Sequence, residues 1–306
     1  MKLFAGLAIC CALLTTAGWA QSPVTITLGP RVAGPAIPED FIGMSFGMKA
    51  LLPSGSGGHF FAATNRPLVM LFQNLGIKHL RLGGTTVEWP PTLGIPGKGD
   101  IDSLFAFVHA AGVNKVIYSF PLLESAPELH YAATNAAIAK YIWQHYQPLL
   151  DCFAIGNEPD RKKIYARDIV ITNCVSYLRK WEQFASAITS AIPAAAFAGP
   201  DAGSGNIYWT TRFAQAEKTS GCIRIITEHF YVGGAGRGVA ARQGLQALLS
   251  PAWIAANQRL YDKMAAPVLA NGLPYRFTEA NDHYSGGVPG ASDTFAGALW
   301  ALDFLH

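Results

Sequence analysis

Two glutamates stand where the character of the sequence changes. Residues 149–155, LLDCFAI, form an apolar run that stops on Gly156-Asn157-Glu158-Pro159. Residues 274–282, PYRFTEAND, carry Glu279 near the end of another strand-like stretch. A proline after a strand fits a plain turn. A carboxylate at the carboxyl end of a barrel strand also suits catalysis. Cleavage of a glycosidic bond needs two such groups: one protonates the departing oxygen, and the other attacks the anomeric carbon or activates water. A spacing of about 5–5.5 Å gives retention through a covalent intermediate, and a larger one gives inversion. Glu158 and Glu279 lie far apart in the chain, so only the fold can pair them.

The elements that must do so alternate. FIGMSFG (41–47), IKHLRLGG (77–84), KVIYSF (115–120), LLDCFAI, AAAFAGPDA (194–202), IRIITEHFY (223–231) and PYRFTEAND read as strands. Helices are predicted over 66–76 (stopped by Gly76), 101–112, 135–146, 207–217 and 293–306. In the helix after LLDCFAI, Tyr177, Trp181, Phe184, Ile188 and Ile192 recur at steps of three and four and make one apolar face. A further helix runs from about Leu245 to Met264, with Pro251 as a break. Strands alternating with helices imply a parallel sheet. No GxGxxG or P-loop turn follows the first strand, which disfavours a nucleotide-binding sheet. Seven βα units predict a TIM-like (β/α)8 barrel with one unit missing, its chemistry at the carboxyl ends of the strands.

The words at those ends carry a resemblance. NEP after the fourth strand and Thr278-Glu279 at the seventh look like the retaining (β/α)8 glycoside hydrolases. FIGMSF, LRLGGTT, AIGNEPD, EHFY, FTEAND and ALWALDFL resemble bacterial members of glycoside hydrolase family 79, the β-glucuronidase and heparanase family. The resemblance implies Glu158 as acid/base, Glu279 as nucleophile, and a glucuronic-acid-containing glycoside or oligosaccharide as substrate. In such a pair the acid must begin protonated, and the nucleophile must stay ionised, which a neighbouring guanidinium favours. Arg81, ending the second strand, is the candidate. His229 and Tyr231 share a strand face, and Tyr231 could orient the nucleophile. Asn157 suits the sugar 2-hydroxyl, and Tyr284 resembles the family tyrosine that touches the glucuronate carboxylate. Glu88 and Asp201 could bind hydroxyls.

Plainer roles stay open for several of these. Arg81 could be a structural ion pair under the rim, His229 a hydrogen-bonded core residue, and Tyr284 a packing residue in a glycine-rich loop. Trp89, Trp209 and Trp253 suit the core as well as a sugar platform. Glu228-His229 hints at a metal, but adjacent strand residues face opposite ways and no third ligand has suitable spacing, so neither metal nor cofactor is expected. Enzyme alternatives are an arabinofuranosidase or xylosidase of the same clan. A non-catalytic sugar-binding remnant is the alternative outside enzymes.

Bulk properties narrow the rest. Lys2, the apolar run Leu3–Leu14 and TTAGWA predict a signal peptide over 1–20, cleaved after Ala20 and implying a secreted or periplasmic protein. That run is too short for a membrane span. A net charge of +3 provides no general field for nucleic acid or membranes. Cys152, Cys174 and Cys222 are odd in number, which argues against a disulfide scaffold; Cys152 and Cys174 could pair, but buried free thiols are expected. VTITL (24–28), within 21–35, resembles the segment the family contributes to a β-sandwich, leaving 36–306 as the catalytic barrel. The eighth strand and the sandwich are expected to be missing, which would expose two sheet edges.

Overall fold

The computed structural model describes residues 36–123, 131–161, 171–203 and 205–305. The predicted signal peptide and the VTITL strand lie outside them. The barrel belongs to a compact unit, Pro38–His306.

Seven strands form one sheet in chain order: β1 (Gly43–Gly47), β2 (His79–Gly83), β3 (Lys115–Phe120), β4 (Leu150–Ile155), β5 (Phe197–Ala202), β6 (Ile223–Tyr231) and β7 (Tyr275–Asn281). Every neighbouring pair is parallel. The fold is therefore the expected TIM-like (β/α)8 barrel, incomplete by one unit. Among the described residues β1 and β7 pair with no further strand, so the sheet keeps two edges. The β1 edge exposes Phe41, Ile42 and Met44.

The covering helices are α1 (Arg66–Asn74), α2 (Lys98–Ala111), α3 (Tyr131–Tyr146), α4 (Cys174–Ala191), α5 (Ile207–Glu217), α6 (Ala241–Leu248), α7 (Pro251–Leu260) and α8 (Phe295–Leu305). The break expected at Pro251 divides the long helical stretch into α6 and α7. Pro251 starts α7 at a first-turn position, where its missing N–H costs nothing. A π-helical turn, Tyr261–Ala265, then carries α7 into Ala266–Ala270.

The main apolar core lies between sheet and helices. Tyr177, Trp181, Phe184 and Ile188 of α4 are buried there, as their spacing predicts. Inside the barrel, Ile117, Cys152, Ala154, Ala198 and Ile225 form a smaller cluster. All three described cysteines are free, and Cys152 and Cys174 are buried. Trp209 and Trp253 pack against apolar clusters, whereas Trp89 is 46% exposed. Among the described residues no helix is long and apolar enough to cross a membrane.

Candidate active site

The strand ends converge on Arg81. Its guanidinium, 2% exposed, donates to Ser45 Oγ on β1 (3.1 Å), Glu279 Oε2 on β7 (3.0 Å), Asn157 Oδ1 after β4 (2.9 Å) and Asp201 Oδ2 on β5 (2.8 Å). The glycines that follow make room. A Cβ on Gly83 would come within 2.8 Å of the guanidinium, and one on Gly84, at φ 63°, within 3.2 Å of the Gly47 backbone. RLGG is thus a local device for turning one arginine across the barrel mouth.

The two glutamates meet over His229. Its Nδ1 is 3.3 Å from Glu158 Oε1 and 3.8 Å from Glu279 Oε2, and its ring is fully buried. The nucleophile candidate is held from both sides, because Tyr231 donates to Glu279 Oε1 at 2.7 Å while Arg81 holds Oε2. Burial alone would raise the Glu279 pKa. Positive charge on His229 and Arg81, with the Tyr231 hydrogen bond, outweighs it and holds the carboxylate below its ordinary range. Burial and the same carboxylate push the Tyr231 phenol up, so it remains a donor.

Two departures from regular pairing aim these groups. In β5–β6 the register runs from Pro200↔Thr227 to Ala202↔Glu228 and skips Asp201. In β6–β7 it runs from Glu228↔Phe277 to His229↔Glu279 and skips Thr278. Such bulges re-aim side chains beside active sites. Here Thr278 and Glu279, adjacent in sequence, both reach the interior. Thr278 Oγ1 donates to Asp201 Oδ1 at 2.5 Å, while Glu279 takes Arg81 and Tyr231. Glu158 (φ 48°) and Asp201 (φ 54°) also sit in the left-handed region. Such residues cost about 1–3 kcal/mol each and persist where surrounding contacts fix them.

Arg81, Asn157, Glu158, His229, Tyr231 and Glu279 are thus brought together. Tyr284, 42% exposed, stands edge-on to the Tyr231 ring with centroids 5.8 Å apart. Both line a cavity of about 310 Å³ with Asn281, His283 and the turn Ser285-Gly286-Gly287. Two weaker expectations need correction. Glu88 is turned inward, its Oε2 accepting from the amides of Leu122 (3.1 Å) and Leu123 (2.7 Å), so it fixes the end of β3 instead of meeting a sugar. Asp201 is 1% exposed, its carboxylate turned to Arg81 and Thr278 inside the barrel and out of reach of a sugar hydroxyl. Arg161 was missed by sequence reasoning: its Nη2 is 3.7 Å from Glu158 Oε1, and its place three residues beyond Glu158 was the available signal. Glu228 faces away from His229, as alternation predicts, and binds Thr210 on α5. Among the described residues no three or more His, Cys, Asp or Glu side chains are grouped to hold a metal ion.

No family model matches the chain. A β-glucuronidase of Aspergillus niger is 34% identical over 84 residues, which are 27% of this chain and 16% of that protein. Among solved structures, a GH39 β-xylosidase from Caulobacter crescentus superposes with a TM-score of 0.57 at 17% identity, covering 90% of this chain and 61% of the other. A monomeric β-xylosidase from Caulobacter crescentus CB15 gives 0.53 at 17% identity, covering 83% and 55%. Cel44A, a GH family 44 endoglucanase from Clostridium thermocellum, gives 0.53 at 14%, covering 75% and 67%. The fold is the barrel that these glycoside hydrolases share. The chain spans 55% and 61% of the length of the two xylosidases.

Proposed function

We propose that residues 36–306 form the catalytic barrel of a secreted retaining glycoside hydrolase that removes terminal β-linked glucuronic acid. The observation that carries the reading is the pair of carboxylates, Glu158 and Glu279, on one buried imidazole. Those two contacts keep Glu158 Oε1 and Glu279 Oε2 within about 7 Å of each other, which is compatible with the retaining spacing of about 5–5.5 Å. Glu279, ionised between Arg81 and Tyr231, attacks the anomeric carbon. Glu158 gives its proton to the leaving oxygen. Water then enters, Glu158 takes its proton, and the glycosyl–Glu279 bond breaks with the anomeric configuration restored. Asn157, fixed by Arg81, is placed for the sugar 2-hydroxyl.

The sugar preference rests on the neighbouring cavity. Its turn is left-handed at Ser285, Gly286 and Gly287. Their backbone amides donate none of the hydrogen bonds made among the described residues. With the Tyr284 hydroxyl, they offer neutral donors to a carboxylate. Asp293 also lines the cavity, its Oδ1 already accepting from Gly290 N–H at 2.7 Å. That acidic lining, together with the xylosidase fold neighbours, supports a second reading: a pentosidase that cleaves a neutral sugar.

The test is hydrolysis of 4-nitrophenyl β-D-glucuronide by the purified chain, with the β-xyloside and α-arabinofuranoside alongside and the first-formed anomer read by NMR. Release from the glucuronide with a β product is the expected result. Release from a pentoside keeps the mechanism and replaces the sugar. Glucuronide binding without release leaves the remnant.

A further inference from the structure

Beyond the two glutamates, the strongest unassigned group is the buried carboxylate of Asp201. We infer that Asp201 is the positioning residue that couples the pair: its carboxylate orders Glu279 through Arg81 and Thr278, while its main-chain carbonyl holds the backbone of Glu158. The inference rests on the reading of Glu158 and Glu279 as the working pair.

Four observations carry it. Asp201 Oδ2 accepts from Arg81 at 2.8 Å, and the neighbouring nitrogen of the same guanidinium holds Glu279. Asp201 Oδ1 accepts from Thr278, the bulged residue just before Glu279, so it fixes that strand by a second route. The Glu158 amide donates to the Asp201 carbonyl at 2.8 Å, so two residues held in the left-handed region are tied to each other. The same two loops are latched a second time, because Asp160 accepts from Gly203 N–H (2.7 Å) and from Asn206 Nδ2 (2.9 Å). At 1% exposure Asp201 cannot touch a sugar. It acts through the groups it holds.

Charge supplies the second half of the argument. The groups facing the Asp201 carboxylate are Arg81 from β2, in direct contact, and His229 from β6, with Nε2 3.9 Å from Oδ1. Beyond them lie Glu279 from β7 and, on the far side of the imidazole, Glu158. Asp201 therefore divides the Arg81 charge with Glu279. Without its negative charge, the whole guanidinium would face the nucleophile.

Asp201→Asn tests this, because asparagine tolerates the left-handed backbone and keeps an acceptor while losing the charge. For 4-nitrophenyl β-D-glucuronide, kcat is expected to fall about 10- to 100-fold, the scale of a mispositioned reacting group. KM should stay within about threefold, since ground-state binding is untouched. The acidic limb of the kcat/KM profile should move to lower pH. Thr278→Val removes one contact without altering any charge and should lower kcat less; it carries the test if Asp201→Asn fails to fold. Parent-like kcat and pH profile in folded variants would overturn the inference. A ¹³C-carboxylate NMR titration of Glu279 reads the same coupling without substrate. Its midpoint should drop in Asp201→Asn. A drop in a chain that cleaves no glucuronide would sink the sugar assignment and leave the coupling standing, whereas an unmoved midpoint would sink the coupling.

Discussion

Asp151 and Asp201 use one structural device at opposite ends of the barrel. Each is skipped in a strand register: Asp151 between Leu150 and Cys152 opposite Val116 and Ile117, and Asp201 between Pro200 and Ala202. Each carboxylate bonds an arginine and faces a histidine. Asp151 takes Arg224 Nε at 2.6 Å and His79 Nε2 at 3.2 Å. Arg224 is itself skipped, opposite Phe197 and Ala198, so the lower cluster joins two bulges just as Asp201 and Thr278 do above. The difference lies in what remains unsettled. The lower end closes on its own partners. The upper end keeps Glu158, Asp201 and Ser285 in the left-handed region, and Arg81 Nε and His229 Nε2 have no hydrogen-bond partner among the described residues. Backbone strain gathers at the end that carries the candidate pair, and a closed cluster of the same residue types serves stability.

Glu279→Gln breaks the upper end most severely. It preserves volume and an acceptor for Tyr231 but removes the nucleophile, so hydrolysis should fall by at least about 10⁴-fold with the thermal midpoint little changed. An unchanged rate would overturn the assignment. Glu158→Ala should cost about 10²–10⁴-fold with a poor leaving group. With 4-nitrophenol as leaving group the loss should shrink, and added azide should restore turnover as a β-glycosyl azide. No azide product would remove Glu158 from the acid/base role.

The comparison also marks what the sequence can reveal. Strand and helix order followed from apolar patterning, because the central strands are near-continuous apolar runs buried on both faces and a helix such as α4 buries one. Arg81, Glu158, His229 and Tyr231 were legible because they stand at strand ends within words that resemble a known family, and alternation sets His229 and Tyr231 on one face. The bulges were not legible. Plain alternation would put Thr278 and Glu279 on opposite faces, and only the register against β6 turns both inward. Asp201 and Glu88 read as hydroxyl binders for the same reason, since their partners, Arg81 and the 122–123 amides, are set by tertiary structure.

Asp151→Asn sharpens the contrast from below. Burial would raise the Asp151 pKa, but the His79 hydrogen bond and Arg224 hold it at about 2. A depressed carboxylate pKa adds stability that is full above the unfolded value and is lost as pH falls through the folded one. With Arg224 53% exposed, water screens part of the gain. The variant should lose about 1–2 kcal/mol at neutral pH, the deficit should vanish between about pH 4 and pH 2, and turnover should not change. A fall in kcat at a retained thermal midpoint would contradict the division of labour between the two ends.

The last effect is expected between them, on the outer face of β6. Burial first, and then the Asp160 charge, push the Glu228 carboxyl up to about 10. Folded Glu228 therefore keeps its proton at neutral pH, while the unfolded chain releases one above about 4.5. The native state thus binds more protons than the unfolded one, and stability falls as pH climbs from about 4.5 toward 10. Glu228→Gln keeps an acceptor for Thr210 and removes the titration. It should be neutral below about pH 4 and should gain progressively above that, by at most about 1.4 kcal/mol for each pH unit past about 4.5, read as a rising difference in denaturation midpoint. A gain independent of pH would mean that packing against α5, and not the buried proton, sets the cost at this position.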